Sequence, residues 1–219
     1  MDLDIYEKSL EILRKIIKAQ KKYDFRIILI GGWGVYCYNP YMKSKDIDFL
    51  IKEQDIWKLK KFLDTLGFKE TSKVLEKRGF ALIVGDDKIE LDVYDKNIGG
   101  FDVNKIFDRE LFVIKKLNGQ KVNVADVNLL LTLKIISGSG RIGTGKGMKD
   151  ISDILSIFDK FFDNIDFSFV YSNVDTRVVN KVFSIIFSDY KKIRNLYPIS
   201  FLKFERIKNA LKNLEWQRI

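Results

Sequence analysis

The stretch "LIGGWGVYCYNPYMKSKDIDFLI" occupies residues 29–51. An apolar run leads into Gly31-Gly32, and a second apolar run carries Asp46 and Asp48, one residue apart. In a strand, residues i and i+2 project to the same face. Asp46 and Asp48 therefore point together, while Ile47, Phe49 and Ile51 anchor the opposite face. Two adjacent carboxylates repel each other unless a cation sits between them. Mg²⁺ prefers carboxylate oxygens together with substrate phosphates. Glycines at 31 and 32 let a backbone approach phosphate oxygens with no Cβ in the way. The amides that open a following helix can donate to those oxygens.

A site of this kind is completed by a further acid on a neighbouring strand, and "KIELDVYD" (88–95) offers one. Ile89, Leu91 and Val93 face one way; Glu90, Asp92 and Tyr94 face the other. Asp92 lies deeper in the run and is the expected third carboxylate, with Glu90 as the alternative. A purely structural account competes: the aspartates would end a strand near solvent, the glycines would make a tight turn, and Asp92 would sit on an edge strand. Ser44 and Lys45, just before the first aspartate, suit a substrate contact or a plain loop. Trp33 and Tyr36 suit the core or a base-stacking platform.

The bulk composition narrows the chemistry. The 219 residues are 46% hydrophobic and 32% charged, a globular balance able to bury a core. The net charge of +9 favours an anionic partner such as a nucleic acid or a nucleotide. Histidine is absent, which excludes a Ser-His-Asp triad and a His-ligated zinc site. One cysteine, Cys37, allows no intrachain disulfide, and with no leader-like stretch it points to the reducing cytoplasm. No apolar run reaches the ~18 residues that suggest a membrane span.

Periodicity predicts helices over 3–20, 32–38, 53–66, 126–137, 148–162, 166–187 with a break, and 199–216. Strands are expected at 24–30, 46–52, 68–77, 80–85, 88–95, 111–117 and 121–125. The fold class is therefore α/β (α+β): a small mixed sheet with helices over 1–125, then a helical bundle over 126–219.

The order of Ile30-Gly31-Gly32, a spacer from Trp33 to Lys45, Asp46-Ile47-Asp48-Phe49 and a later Asp92 resembles the DNA polymerase β-type nucleotidyltransferase superfamily. The likeness covers residues 25–95. It extends to "DVNLLLTLKIIS" and "KGMKDISDIL", which look like the helical part of abortive-infection (AbiEii-like) and other minimal nucleotidyltransferases. The matching residues there are Lys134, Arg141, Lys149, Asp150 and Asp153. The resemblance implies a metal-dependent enzyme that moves an NMP from an NTP to a hydroxyl. Asp46, Asp48 and Asp92 would hold Mg²⁺ (or Mn²⁺). Gly31, Gly32, Ser44, Lys45, Lys134, Arg141 and Lys149 would bind the nucleotide. The basic charge points to an RNA acceptor, tRNA-like, as a toxin-type enzyme with an antitoxin partner would use. A protein or small-molecule acceptor, or a non-catalytic binding module of the same fold, are the alternatives.

Two further stretches bear on partners. "GRIGTGKGMKD" (140–150) approaches a P-loop, but Gly147 stands where Ser or Thr must hold the metal, and a helix-like segment precedes it. It is expected to be a flexible basic loop carrying Arg141, Lys146 and Lys149. Over 191–219, eight basic residues, Lys191, Lys192, Arg194, Lys203, Arg206, Lys208, Lys212 and Arg218, face only Glu205 and Glu215. The apolar stripe Phe201, Leu202, Phe204, Ile207, Leu211 and Leu214 would be buried, leaving a basic face for a phosphate backbone or for solvent.

Overall fold

The computed structural model describes residues 4–74, 77–188 and 190–216, apart from the side chains of 73, 74 and 214–216. The chain divides into two compact units, 1–126 and 127–219.

The first unit is a mixed sheet with helices. Its strands are β1 (Ile27–Leu29), β2 (Ile47–Ile51), β3 (Lys69–Val74), β4 (Lys77–Val84), β5 (Asp87–Tyr94), the short pair β6 (Asn97–Ile98) and β7 (Phe101–Asp102), β8 (Phe112–Leu117) and β9 (Gln120–Ala125). Its helices are α1 (Ile5–Tyr23), α2 (Gly31–Tyr38), α3 (Ile56–Thr65) and α4 (Val103–Asp108). Seven strands form one sheet in the order β3-β4-β5-β2-β1-β9-β8. The β2–β5 and β1–β9 pairs are parallel and the others antiparallel. The alternation read from the sequence decides the faces. Ile47, Phe49, Ile51, Ile89, Leu91 and Val93 are buried in one cluster with Leu10, Leu13, Ile16 and Ile17 of α1. The acids between them therefore lie on the face turned away from α1.

The first strand is shorter than the expected 24–30. Asp24 takes a left-handed conformation (φ 54°) that stops α1. Gln20 Oε1 then accepts from the Ile27 amide at 2.9 Å, so pairing begins only at Ile27. At the other end Ile30 donates its amide to the Asp48 carbonyl at 3.0 Å and serves as the N-cap of α2. The expected strand 68–77 is likewise two: β3 closes at Val74 and β4 opens at Lys77, with 75 and 76 outside the described residues. The stretch 96–110, given no element by periodicity, turns at Gly99 and Gly100, both with positive φ, and Asp102 caps α4.

The second unit is helical: α5 (Val127–Gly140), α6 (Gly145–Phe161), α7 (Phe167–Asn173), α8 (Thr176–Ser188), α9 (Tyr190–Leu196) and α10 (Phe201–Trp216). Phe158 stands among the rings of Phe162, Phe167 and Phe183 and is fully buried. The expected basic loop at 140–150 is mostly helix. Thr144 accepts from the Gly147 amide and starts α6 at Gly145, so Lys146 and Lys149 are helical. The reason for glycine at 147 is packing: a Cβ there would lie 2.0 Å from the Arg141 carbonyl oxygen. On α10, Phe204, Ile207 and Leu211 are buried, but Leu202 is 83% exposed, being off their helical spacing, and Phe201 at the helix start is half-exposed. The side chain of Leu214 and all of Arg218 lie outside the described residues. No described helix is long and apolar enough to cross a membrane.

Candidate functional site

The site is built where β1 breaks into α2. Gly31 has φ +63°, a conformation that L side chains rarely adopt. A Cβ on Gly31 would lie 2.1 Å from Asp48 Oδ2 and 2.8 Å from the Asp48 Cβ. The glycine turn and the Asp48 carboxylate are thus packed directly together, and the Ile30–Asp48 hydrogen bond fixes the approach. No side chain caps the start of α2. Gly32 is buried in its first turn, beside Trp33, whose indole Nε1 donates to Ser9 Oγ at 3.1 Å. Trp33 is therefore a core residue, and Tyr36 meets it edge-on at 5.3 Å.

The parallel pairing of β2 and β5 puts Ile47 beside Leu91 and Asp48 beside Asp92. In-register neighbours on adjacent strands project to the same side. Asp48 and Asp92 therefore share a face, and Asp46 lies one residue before β2, in the bend that leads into it. Asp46, Asp48 and Asp92 are all partly exposed. Glu90 is two residues from the Asp48 level and its carboxylate is drawn to Lys88 at 2.5 Å. The register thus favours Asp92 over Glu90 as the acid beside Asp48.

Lysines neutralise this polar edge. Lys77 Nζ lies 2.7 Å from Asp92 Oδ2, and Lys45 Nζ lies 2.9 Å from Asp87 Oδ1. The hydrogen bond to Asp87 holds the Lys45 ammonium above its usual range. Ser44 is buried, only 2% exposed. Among the described residues no three acidic, Cys or His side chains converge closely enough to cage a metal ion. The donor set still suits a hard divalent cation. Mg²⁺ is commonly held by one or two carboxylates plus substrate phosphates rather than by an all-protein cage, and the turn at Gly31 leaves bare backbone beside Asp48.

The basic residues expected from the helical unit are placed differently from one another. Lys134, on α5, is buried and paired with Asp150 at 3.0 Å and Asp153 at 2.6 Å, both on α6. Burial opposes its charge, but the Asp153 and Asp150 carboxylates more than offset this and raise its pKa. Its ammonium is committed to the interior rather than presented on the surface. Arg141, 44% exposed at its side chain, reaches Asp150 Oδ2 at 2.6 Å. Lys149 lies on α6 and is partly exposed. On α10, Arg206 pairs with Asp163, Lys203 with Asp159 and Lys208 with Glu205, so these three basic residues of the tail already have acidic partners. The missed participant was Lys77. Its proximity to Asp92 follows from the β4–β5 register, which no sequence period announces.

No protein-family model matches the chain, and no curated protein matches it significantly. Solved structures do resemble it. An antigenic nucleotidyltransferase-like protein from Paracoccidioides brasiliensis superposes with a TM-score of 0.51 at 18% identity, over 84% of this chain and 98% of that one. The antibiotic-resistance factor ANT(2")-Ia in solution gives 0.53 at 12% identity, over 86% and 96%. Its crystal structure in complex with adenylyl-2"-tobramycin gives 0.54 at 11% identity, over 81% and 96%. At these identities the likeness speaks to architecture: the mixed sheet and its helices are the fold of nucleotidyltransferases.

Proposed function

We propose that this chain transfers an NMP from an NTP to a hydroxyl acceptor. The observation that carries the reading is the Gly31 turn packed on the Asp48 carboxylate, with Asp92 in register beside it. A fold alone does not choose a chemistry, but this arrangement joins bare backbone for phosphate to acids for a cation. The amides of the Gly31-Gly32 turn, at the positive end of α2, bind the terminal phosphates. Asp46, Asp48 and Asp92 are the acids that would hold Mg²⁺ or Mn²⁺, together with the substrate phosphates rather than as a closed protein cage, and the ion would supply neutralising charge there. Asp92 accepts the acceptor's hydroxyl proton. The acceptor oxygen bonds to the α-phosphorus as the bond to the bridging oxygen breaks, and pyrophosphate leaves. Arg141 and Lys149 belong to the nucleotide set in this reading; Lys134 acts as an internal strut.

The acceptor reading rests on charge: +9 favours RNA. A small hydroxylated molecule is the second reading, favoured by the neighbour crystallised with adenylyl-2"-tobramycin. Labelled ATP, CTP, GTP and UTP incubated with Mg²⁺ and total RNA, cell protein or aminoglycosides test both. Label is expected on RNA, and Asp48→Asn is expected to lower incorporation by about 10⁴-fold, about 5 kcal/mol of barrier. No label on any acceptor, together with no NTP binding in the presence of Mg²⁺, would leave a non-catalytic binding module. Label on aminoglycosides alone would move the acceptor to the second reading.

A further inference from the structure

Among the described side chains Lys77 is the cation paired with Asp92, and its position follows from the sheet. Gly79 stands directly opposite Asp92 on β4. Lys77 is two residues away on the same strand, so it shares their face and meets Asp92 on the diagonal. Gly79 puts no side chain between them, and the Lys77 ammonium comes to 2.7 Å from Asp92 Oδ2. The two side chains are 36% and 26% exposed. A pair this open is weak and exchangeable, because water competes for both charges.

We propose that Lys77 is a resident counter-cation for Asp92, displaced when a divalent cation binds beside Asp48. The proposal rests on the nucleotidyl-transfer reading of the acidic face. Two carboxylates in register, Asp48 and Asp92, without a cation would repel one another across β2 and β5. An ammonium on Asp92 relieves that repulsion while leaving the oxygens reachable. A divalent ion carries twice the charge and takes carboxylate oxygens in preference, so the ion pair opens and Asp92 turns to it. Lys77 then acts as a positioning residue: it keeps Asp92 on the site's face in the absence of metal and sets how much metal is needed to recruit it. Among the described side chains, Lys45 pairs with Asp87 and Lys88 with Glu90 rather than with Asp92.

The test uses the full chain and Mn²⁺ alone, titrated without nucleotide and followed by electron paramagnetic resonance. Lys77→Met removes the competitor and is expected to tighten Mn²⁺ binding up to about fivefold, the ceiling for so exposed a pair. Lys77→Arg is expected to return the affinity toward that of the parent. Circular dichroism checks that both variants fold. Unchanged or weaker Mn²⁺ binding by Lys77→Met overturns the proposal. Asp48→Asn and Asp92→Asn separate the two levels of the argument. If they weaken Mn²⁺ binding while Lys77→Met does nothing, only the role of Lys77 falls. If they leave Mn²⁺ binding intact, the acidic face is not the metal site and the functional reading falls with it.

Discussion

Each unit of the chain pairs a lysine with aspartate, and the two are opposites. In the sheet unit Lys77 meets Asp92 with both side chains open to water. In the helical unit Lys134 sits between Asp150 and Asp153 with side-chain exposures of 10%, 4% and 6%. The same residue types thus serve exchange in one place and permanence in the other. An exposed pair gains little from its own attraction and loses little when broken. A buried one has surrendered hydration on all sides, so removing either partner strands a charge. The sequence pattern Lys-then-Asp is blind to this difference, which only burial decides.

The largest expected effect breaks the buried side of the comparison. Lys134→Met leaves Asp150 and Asp153 without their shared ammonium, Arg141 reaching only Asp150. The expected loss is about 3–5 kcal/mol in a urea melt of the full chain. Transfer activity per folded molecule should persist. Activity lost at unchanged stability would instead return Lys134 to the nucleotide-binding set.

A second contrast lies in two glycines. Gly31 has no room for a Cβ because of the Asp48 side chain, and Gly147 has none because of the Arg141 backbone carbonyl. Gly31→Ala must displace the Asp48 carboxylate and bear left-handed strain besides. A displacement of about 1 Å at a reacting group costs about 10²-fold in rate, so loss of transfer should exceed loss of stability. Gly147→Ala pushes on backbone that cannot rotate away and should cost about 1–3 kcal/mol of stability, with the smaller loss of transfer by the folded fraction. Steady-state rates and melts on the two variants are expected to give this crossed pattern; parallel losses would dissolve the distinction.

Legibility in the sequence followed the same division. The alternation of Ile47, Phe49 and Ile51 with Asp46 and Asp48 is a local, period-two signal, and β2 carries it from Ile47 to Ile51, with Asp46 one residue before the strand. The mixed sheet and helical composition of the fold were readable for that reason. The length of β1 was not, because it depends on Gln20 reaching over a turn to Ile27. The partner of Asp92 was not, because register across β4 and β5 is set by tertiary pairing. The stretch 140–150 read as a loop because its glycines lack helix propensity. Packing of Gly147 against Arg141, with the Thr144 cap, overrides that preference. The choice between Asp92 and Glu90 needed the parallel register with β2.

The smallest effect sharpens the comparison between these extremes. Asp159, whose side chain is 14% exposed, receives Lys203 at 2.9 Å and the Tyr197 hydroxyl at 2.9 Å. Burial would raise its pKa, but the hydrogen bonds from Lys203, Tyr197 and Lys160 outweigh that and hold it below the ordinary aspartate value. A carboxylate depressed in the folded state binds fewer protons there than in the unfolded chain. Its stabilisation is therefore present above the unfolded pKa and is lost as pH falls through the lowered value, below about pH 4. Tyr197→Phe removes one donor and should shrink the loss of stability between pH 6 and pH 3 by at most about 1 kcal/mol, measured by urea melts at both values. An unchanged acid dependence would mean that the Lys203 and Lys160 pairs set the Asp159 titration without Tyr197, placing it with the exchangeable lysine of the sheet unit rather than with Lys134.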